Sequence, residues 1–315
     1  MTAPLPHSPE TLLELAVNIS RTVAAPTILA LEAEPGAANP LNALMPPLPA
    51  PREVAEKDVL RARQLGELVG EALRLLGFDT HFALTLDLAS EINEAGRNTG
   101  AQDPNGVAEC GAAYIEGLAK QKVLASARHF PGLGGAAPVP APSGELPVSG
   151  RPMAELWRSD LVPYRRLVDQ LSFVLMSAAA YKAYDFDYPR SAVLSVRVVE
   201  GLLRAKLKYR GVVVAPQLES PAVRGALDES HAAVESLNAG CDMLLVEKAE
   251  SWEAMRQGIE EAIASGRLPR GRFEEAVGRV RGAKKGWEPP DKPFSRAAWE
   301  RLLRRCEEFT SSAGS

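Results

Sequence analysis

The sequence predicts an α/β protein on a parallel sheet, either doubly wound or closed as a barrel. Three observations carry this. Six short apolar runs recur along the 315 residues. A helix-spaced segment separates each run from the next, and the runs are continuous, as in strands buried on both faces. The composition is that of a globular chain, with 46% hydrophobic and 24% charged residues, and the length suffices for a large core. A net charge of −4 argues against a nucleic-acid partner, whose footprint would be a basic patch or stripe.

The elements follow in order. Ser8-Pro9-Glu10 is a helix start, with Ser as N-cap and Pro in the first turn. Leu12, Leu15, Ala16, Ile19 and Val23 continue it at helical spacing. After Pro26 the run 27–31 reads as the first strand, closed by Glu32-Ala33-Glu34. A helix over 60–76, stopped by Gly77, leads to a strand over 82–88 that carries Asp87. A helix over 107–120 leads to a strand over 123–130, ending on Arg128-His129. Further pairs follow: helix 153–170 with strand 173–179, helix 196–208 with strand 211–215, and helix 232–239 with strand 243–246. Two long loops interrupt the rhythm. Residues 35–51 hold six prolines, and 132–152 are rich in Gly, Pro, Ala and Ser. Both follow a strand's carboxyl end, where α/β barrels place their sites. Residues 1–286 are expected to form the barrel domain and 287–315 a helical tail.

Cys110, Cys241 and Cys306 lie far apart, without a CxxC pair or a neighbouring histidine. This spacing offers no metal site and fits reduced thiols. No apolar run approaches the ~18 residues of a membrane span, and no basic leader precedes one. The expectation is a soluble, cytoplasmic protein without cofactor, metal or membrane partner.

The sharpest local feature is Arg128-His129-Phe130-Pro131-Gly132-Leu133-Gly134-Gly135. A strand ending in a cation and an imidazole, then turning on Pro-Gly, presents donors to an anionic or hydroxylated ligand. It equally suits a capped strand end with a satisfied histidine. The glycines form neither a complete P-loop nor a GxGxxG, so a phosphate cradle is weakly supported.

These residues bring a resemblance. The segment is similar to the "KHFPGHGD" strand of glycoside hydrolase family 3, in its β-N-acetylhexosaminidase branch. Ala83-Leu84-Thr85-Leu86-Asp87-Leu88 resembles that branch's "APVLDV" strand, and Ala95-Gly96-Arg97-Asn98-Thr99-Gly100 echoes its "I-G-x-R-S-F-G" loop. Val174-Leu175-Met176-Ser177-Ala178-Ala179 resembles "VMSAH", and Ala239-Gly240-Cys241-Asp242-Met243 resembles "AGCDM". Leu203-Arg204 through Val213 resembles "LLRxxLGFxGVV". The motifs run collinearly from about Pro9 to Lys285. The resemblance implies a TIM-type (β/α) barrel, of which this chain carries about six of eight βα units. Nothing in residues 1–26 supplies the first two strands. The barrel is then open on one side, or the gene starts further upstream, or another chain fills the gap. An open edge needs a cover, for which the Ser8 helix is a candidate, and it offers a surface for self-association.

The resemblance also exposes departures. The family's strand after "GVV" ends in Ser-Asp-Asp, whose first Asp is the nucleophile. Here the strand reads Val214-Ala215-Pro216-Gln217, with Pro216 at the nucleophile position. A retaining glycosidase needs a carboxylate there to form the glycosyl ester. The family's general acid, a His paired with an Asp, belongs to a loop that here runs over 135–145 and contains neither residue type. Leu133 and Ala179 replace two further histidines, and the "DQEGGR" turn has become Glu32-Ala33-Glu34-Pro35-Gly36-Ala37. Arg97 and His129 match sugar-contacting positions. Arg128 stands for a Lys, Glu32 for an Asp, and Asp87 is kept, as ligand contact or loop cap. Asp242 opens its strand at the opposite end and reads as structural.

No catalytic residue is therefore assigned. Glu32, Asp87, Arg97, Arg128 and His129 are the candidate substrate-binding set. The implied function is non-catalytic binding of an N-acetylglucosamine-like amino sugar or cell-wall fragment. One alternative is an active β-N-acetylglucosaminidase-type hydrolase using Glu32, Glu34, Asp87 or Glu219. Another is a structural or partner-binding remnant.

Overall fold

A computed structural model describes residues 8–23, 27–88, 103–133, 135–136, 145–285 and 293–313. Eight strands occur among them: β1 (Ala30–Leu31), β2 (Thr80–Thr85), β3 (Leu124–Phe130), β4 (Val148–Ser149), β5 (Phe173–Met176), β6 (Ala180–Tyr181), β7 (Val212–Ala215) and β8 (Met243–Leu244). Six of these form one sheet in the order β1-β2-β3-β5-β7-β8, every neighbouring pair parallel. The remaining two, β4 and β6, pair in parallel apart from it. Parallel strands laid side by side in chain order put all their carboxyl ends at one rim. Glu32, Asp87, His129, Pro216 and Val246 therefore follow strand ends at one rim, as the barrel expectation requires, while Ala179, the sixth position expected there, lies past the turn at Ser177 and beyond the end of β5. Among the described residues the sheet does not close on itself, since β1 and β8 each have a single partner.

The helices are α1 (Pro9–Thr22), α2 (Pro51–Ala55), α3 (Val59–Leu75), α4 (Pro104–Lys120), α5 (Met153–Arg158) and α6 (Leu161–Leu167). After a π-wound helix over Arg197–Lys206 come α7 (Pro221–Arg224), α8 (Glu229–Ala239), α9 (Ala249–Ser265), α10 (Arg270–Ala283) and α11 (Arg296–Ala313). Helix starts obey capping chemistry. Ser8, Asp58, Asp103 and Asp228 each accept a backbone N–H of their own first turn. Helices α3 and α4 cross at glycines: a Cβ on Gly66 would lie 2.2 Å from the Tyr114 carbonyl oxygen, and one on Gly117 2.1 Å from that of Arg63. Only hydrogen fits in that contact.

Strand alternation divides the core. Val174, Met176, Val213 and Ala215 face the helices and join the main cluster with Leu65, Leu73, Tyr114 and Tyr164. Phe173, Leu175, Val212 and Val214 face inward with Phe82, Leu124 and Met243. Val280 and Ala283 of α10 pack on that inner group. The Ser8 helix does not contribute to it. Leu12 of α1 joins the main cluster, and Glu10 pairs with Arg296 of α11. Helix α11 returns onto α3, where Arg61 lies over the Phe309 ring and Trp299, Leu302 and Cys306 are buried.

The strand expected over 82–88 ends at Thr85, the one over 243–246 shrinks to Met243–Leu244, and three further elements differ. The helix over 153–170 breaks between α5 and α6, because the buried Asp160 carboxylate draws Arg151 Nη1 at 2.6 Å and Ser159 Oγ at 2.7 Å. The strand over 173–179 stops at Met176. Ser177 Oγ accepts the Ala179 N–H at 3.0 Å, turning the chain so that β6 pairs with β4 instead. The first strand shrinks to Ala30–Leu31. At the sheet's amino end, buried Asp242 accepts from Arg204, Arg272 and Arg279 and from the Val213 N–H. This is the structural role expected for it.

Candidate functional site

The site is built at the carboxyl ends of β1, β2 and β3. Thr85 and Asp87 lie two residues apart and share the inner face, while Leu84, Leu86 and Leu88 belong to the main core. Strand β3 delivers Arg128 and His129 beside them, since Thr85 pairs with Arg128 in register. The peptides Arg128–His129 and Phe130–Pro131 are cis. Gly132 then turns with φ +125°, and a Cβ there would meet the Asp160 side chain at 2.5 Å.

Asp87 organises this turn. Its side chain is fully buried; Oδ2 lies 2.6 Å from His129 Nδ1, and Oδ1 accepts the backbone N–H of Leu133 at 2.7 Å. The His129 N–H reaches the same Oδ1 at 3.3 Å. A carboxylate only accepts, so the His129 proton sits on Nδ1 and leaves Nε2 as the ring nitrogen presented outward. The ring is 28% exposed. Asp87 therefore fills the loop-capping role and orients the imidazole.

Arg128 is tied on three sides. Its guanidinium pairs with Glu32, reaches Glu34 Oε2 at 3.4 Å, and donates from Nε to Thr85 Oγ1 at 3.2 Å. Glu34 in turn accepts from the Thr85 N–H at 2.8 Å and hydroxyl at 2.7 Å. Burial works against the Arg128 charge, but the Glu34 and Glu32 carboxylates outweigh it and hold the guanidinium above its ordinary range. Glu32 remains largely exposed, whereas Glu34 is buried. The acidic Glu32-x-Glu34 pair and the basic strand end thus form one network. Behind it, His81 is fully buried and its Nε2 lies 3.3 Å from the Tyr114 hydroxyl.

Of the five expected site residues, Glu32, Asp87, Arg128 and His129 come together; Arg97 lies outside the described residues. Thr85 is a further member that the period-two alternation with Asp87 could have marked. The rim opposite is different in character. Strand β7 ends at Ala215 and Pro216 follows it. Glu219 is turned to the start of α9, where Oε1 accepts the N–H groups of Glu247 at 2.8 Å and Lys248 at 3.4 Å. Among the described residues no group of three or more His, Cys, Asp or Glu could hold a metal ion. No helix among them is long and apolar enough to cross a membrane.

The comparisons with known proteins agree with a half barrel of this kind. Residues 7–283 match the glycosyl hydrolase family 3 N terminal domain. The chain belongs to that family, in its β-hexosaminidase branch. A β-hexosaminidase of Nitrosomonas eutropha is 28% identical over 285 residues, covering 86% of this chain and 80% of the relative. One from Pseudomonas aeruginosa is 31% identical over 242 residues, covering 76% and 71%. Among solved structures, a glycoside hydrolase family 3 β-N-acetylglucosaminidase from Paenibacillus sp. str. FPU-7 superposes with a TM-score of 0.81 at 25% identity. That match covers 96% of this chain but spans only 60% of the Paenibacillus chain.

Proposed function

We propose that this chain is a non-catalytic member of its family that binds an N-acetylglucosamine-like amino sugar or cell-wall fragment at the mouth of the half barrel. One observation carries the reading. The strand end that would deliver a nucleophile carries Pro216, and the nearest following carboxylate, Glu219, turns its Oε1 to the backbone of Glu247 and Lys248. Without a carboxylate at the anomeric carbon no glycosyl ester forms. The oriented His129 and the exposed Glu32 supply acceptors, and the Arg128 guanidinium beside them supplies donors, for the hydroxyls of a ligand. Arg97 completes the proposed set. The names of the relatives support the choice of amino sugar.

Two further parts belong to the same reading. Cys110, Cys241 and Cys306 are all unpaired and buried, which supports a reducing, cytoplasmic compartment. The open side of the sheet, bordered by β1 and β8, is where a second copy would attach.

The test pairs two measurements. A chromogenic β-N-acetylglucosaminide should release no chromophore above the buffer rate, while N-acetylglucosamine should raise the melting temperature. Turnover at an ordinary enzymatic rate, abolished in Glu219→Ala, would establish the hydrolase instead. Absence of both turnover and stabilisation would leave only a partner-binding role.

A further inference from the structure

The loop between β6 and Ser191 carries side chains that the site does not use. Its two ends are pinned together by the antiparallel bridge between Ala180 and Ser191. Its base is held as well: Arg197 Nη1 donates to the Tyr184 carbonyl at 2.7 Å, and the Tyr184 hydroxyl lies 3.0 Å from Met153 Sδ. On this fixed base two aromatic rings stand out, Phe186 at 73% and Tyr188 at 81% exposure. Burial is the ordinary fate of such rings, and their exposure on a braced loop marks a contact surface. They border a cleft of about 300 Å³ with Asp185, Asp187, Arg190 and Val196. That volume lies at the lower end of small-molecule sites.

The loop's position gives it a role. The Tyr181 hydroxyl, at the loop's start, donates to the Gly132 carbonyl at 2.7 Å. Gly132 belongs to the turn that Asp87 fixes beside His129. The start of the loop that carries the aromatic cleft is thereby tied to the site's turn by one direct hydrogen bond.

We propose that Phe186 and Tyr188 form a stacking platform for further sugar units, so that the chain holds a linear β-linked glycan rather than a single residue. The chemistry is specific. One face of a pyranose ring presents axial C–H groups, which pack on an aromatic face through dispersion and the ring quadrupole. The equatorial hydroxyls at the ring's edge then need donors and acceptors, and the carboxylates of Asp185 and Asp187 and the guanidinium of Arg190 line the same cleft. Two carboxylates balance the two guanidiniums of Arg190 and Arg197 in the cleft lining, so it lacks the cluster of unpaired basic residues that would hold anionic lipid, the other common partner of exposed aromatics. The proposal rests on the amino-sugar reading of the neighbouring site.

Titration calorimetry of the full chain with N-acetylglucosamine and with its β-1,4-linked tri- to hexasaccharides tests it. Wild type should bind the oligosaccharides on the order of tenfold more tightly than the monosaccharide, the scale of covering one or two aromatic faces. Phe186→Ala/Tyr188→Ala should bind the monosaccharide as wild type does and lose the chain-length gain, and Tyr188→Phe should keep it. Both side chains are exposed, so an unchanged melting temperature shows that the double variant is folded. Monosaccharide binding without a chain-length gain, or a gain that survives the double substitution, overturns the platform alone. No binding of any saccharide overturns the site reading and the platform with it. Binding of anionic vesicles, lost in the double variant while saccharide binding is not, replaces the glycan with a membrane surface.

Discussion

At the scale of single residues, two buried groups govern how the site is held. Asp87 accepts from His129 Nδ1 and from the backbone N–H of Leu133. Asp87→Ala leaves those donors without their buried carboxylate, at about 1–3 kcal/mol for each unsatisfied group. The variant should lose at least about 2 kcal/mol in urea unfolding, and its affinity for N-acetylglucosamine should fall because the imidazole is no longer oriented. A stability loss with sugar affinity unchanged would separate the cap from the site. His81 acts through protons. Burial, assisted by the nearby Arg128 charge, lowers its pKa to about 4. An unfolded chain takes up that proton below about 6.5. The neutral, buried ring therefore contributes its full stability above pH 6.5, and the contribution is lost as pH falls toward 4. The loss between pH 6.5 and 5 is about 2 kcal/mol. Urea unfolding at both pH values should show this extra slope in wild type and not in His81→Phe; equal slopes would exclude the mechanism.

At the scale of elements, packing decides the sign of one and the same substitution. Gly117→Ala forces a methyl to within 2.1 Å of the Arg63 carbonyl, so α3 and α4 must separate. Overpacking of this kind costs about 1–3 kcal/mol. Gly278→Ala, inside α10 with nothing within 4 Å of the new Cβ, should instead stabilise by about 0.5–1 kcal/mol through the helix preference of Ala. Thermal melts of the two variants should move in opposite directions. Elements also show what was legible in the chain. The sheet's six strands could be read because they are short apolar runs, most of them closed by a Gly, Pro or acidic turn, whereas their sequential order was implied by the family resemblance, since the runs alone left a doubly wound sheet open. The strand-end residues Asp87, Arg128 and His129 were legible for the same reason. The break at Ser159–Asp160 was not, because it depends on Arg151 reaching a buried carboxylate. Nor was the triple hold on Arg128 by Glu32, Glu34 and Thr85, which lie 43 to 96 positions away in the chain. Helix α10 hides its role most fully. It is rich in arginine, and only Ala276 is fully buried, yet it supplies the cover of the inner face.

For the whole molecule, that cover decides whether an open half barrel can exist alone. A parallel sheet buries both faces, and the barrel interior of this one is bounded by strands on one side only. The edges β1 and β8 are two residues each, a length that gives a second strand little backbone to pair with. The surface that most needs a cover is therefore the inner face of Phe173, Leu175, Val212 and Val214 more than the edges. Val280 and Ala283 of α10 rest on that face. Val280→Asp would set a carboxylate against it, and the carboxylate would have to be desolvated, be neutralised or push the helix away. We expect a loss of at least about 2 kcal/mol, with light scattering that grows with protein concentration as the uncovered face finds another copy. Val59→Asp is the control, since Val59 is an exposed apolar residue at the start of α3, away from the inner face. Sedimentation velocity and urea unfolding of the two variants decide the point. If Val280→Asp stays as stable and as monodisperse as Val59→Asp, then α10 does not seal the barrel and the open side must be covered by another part of the chain.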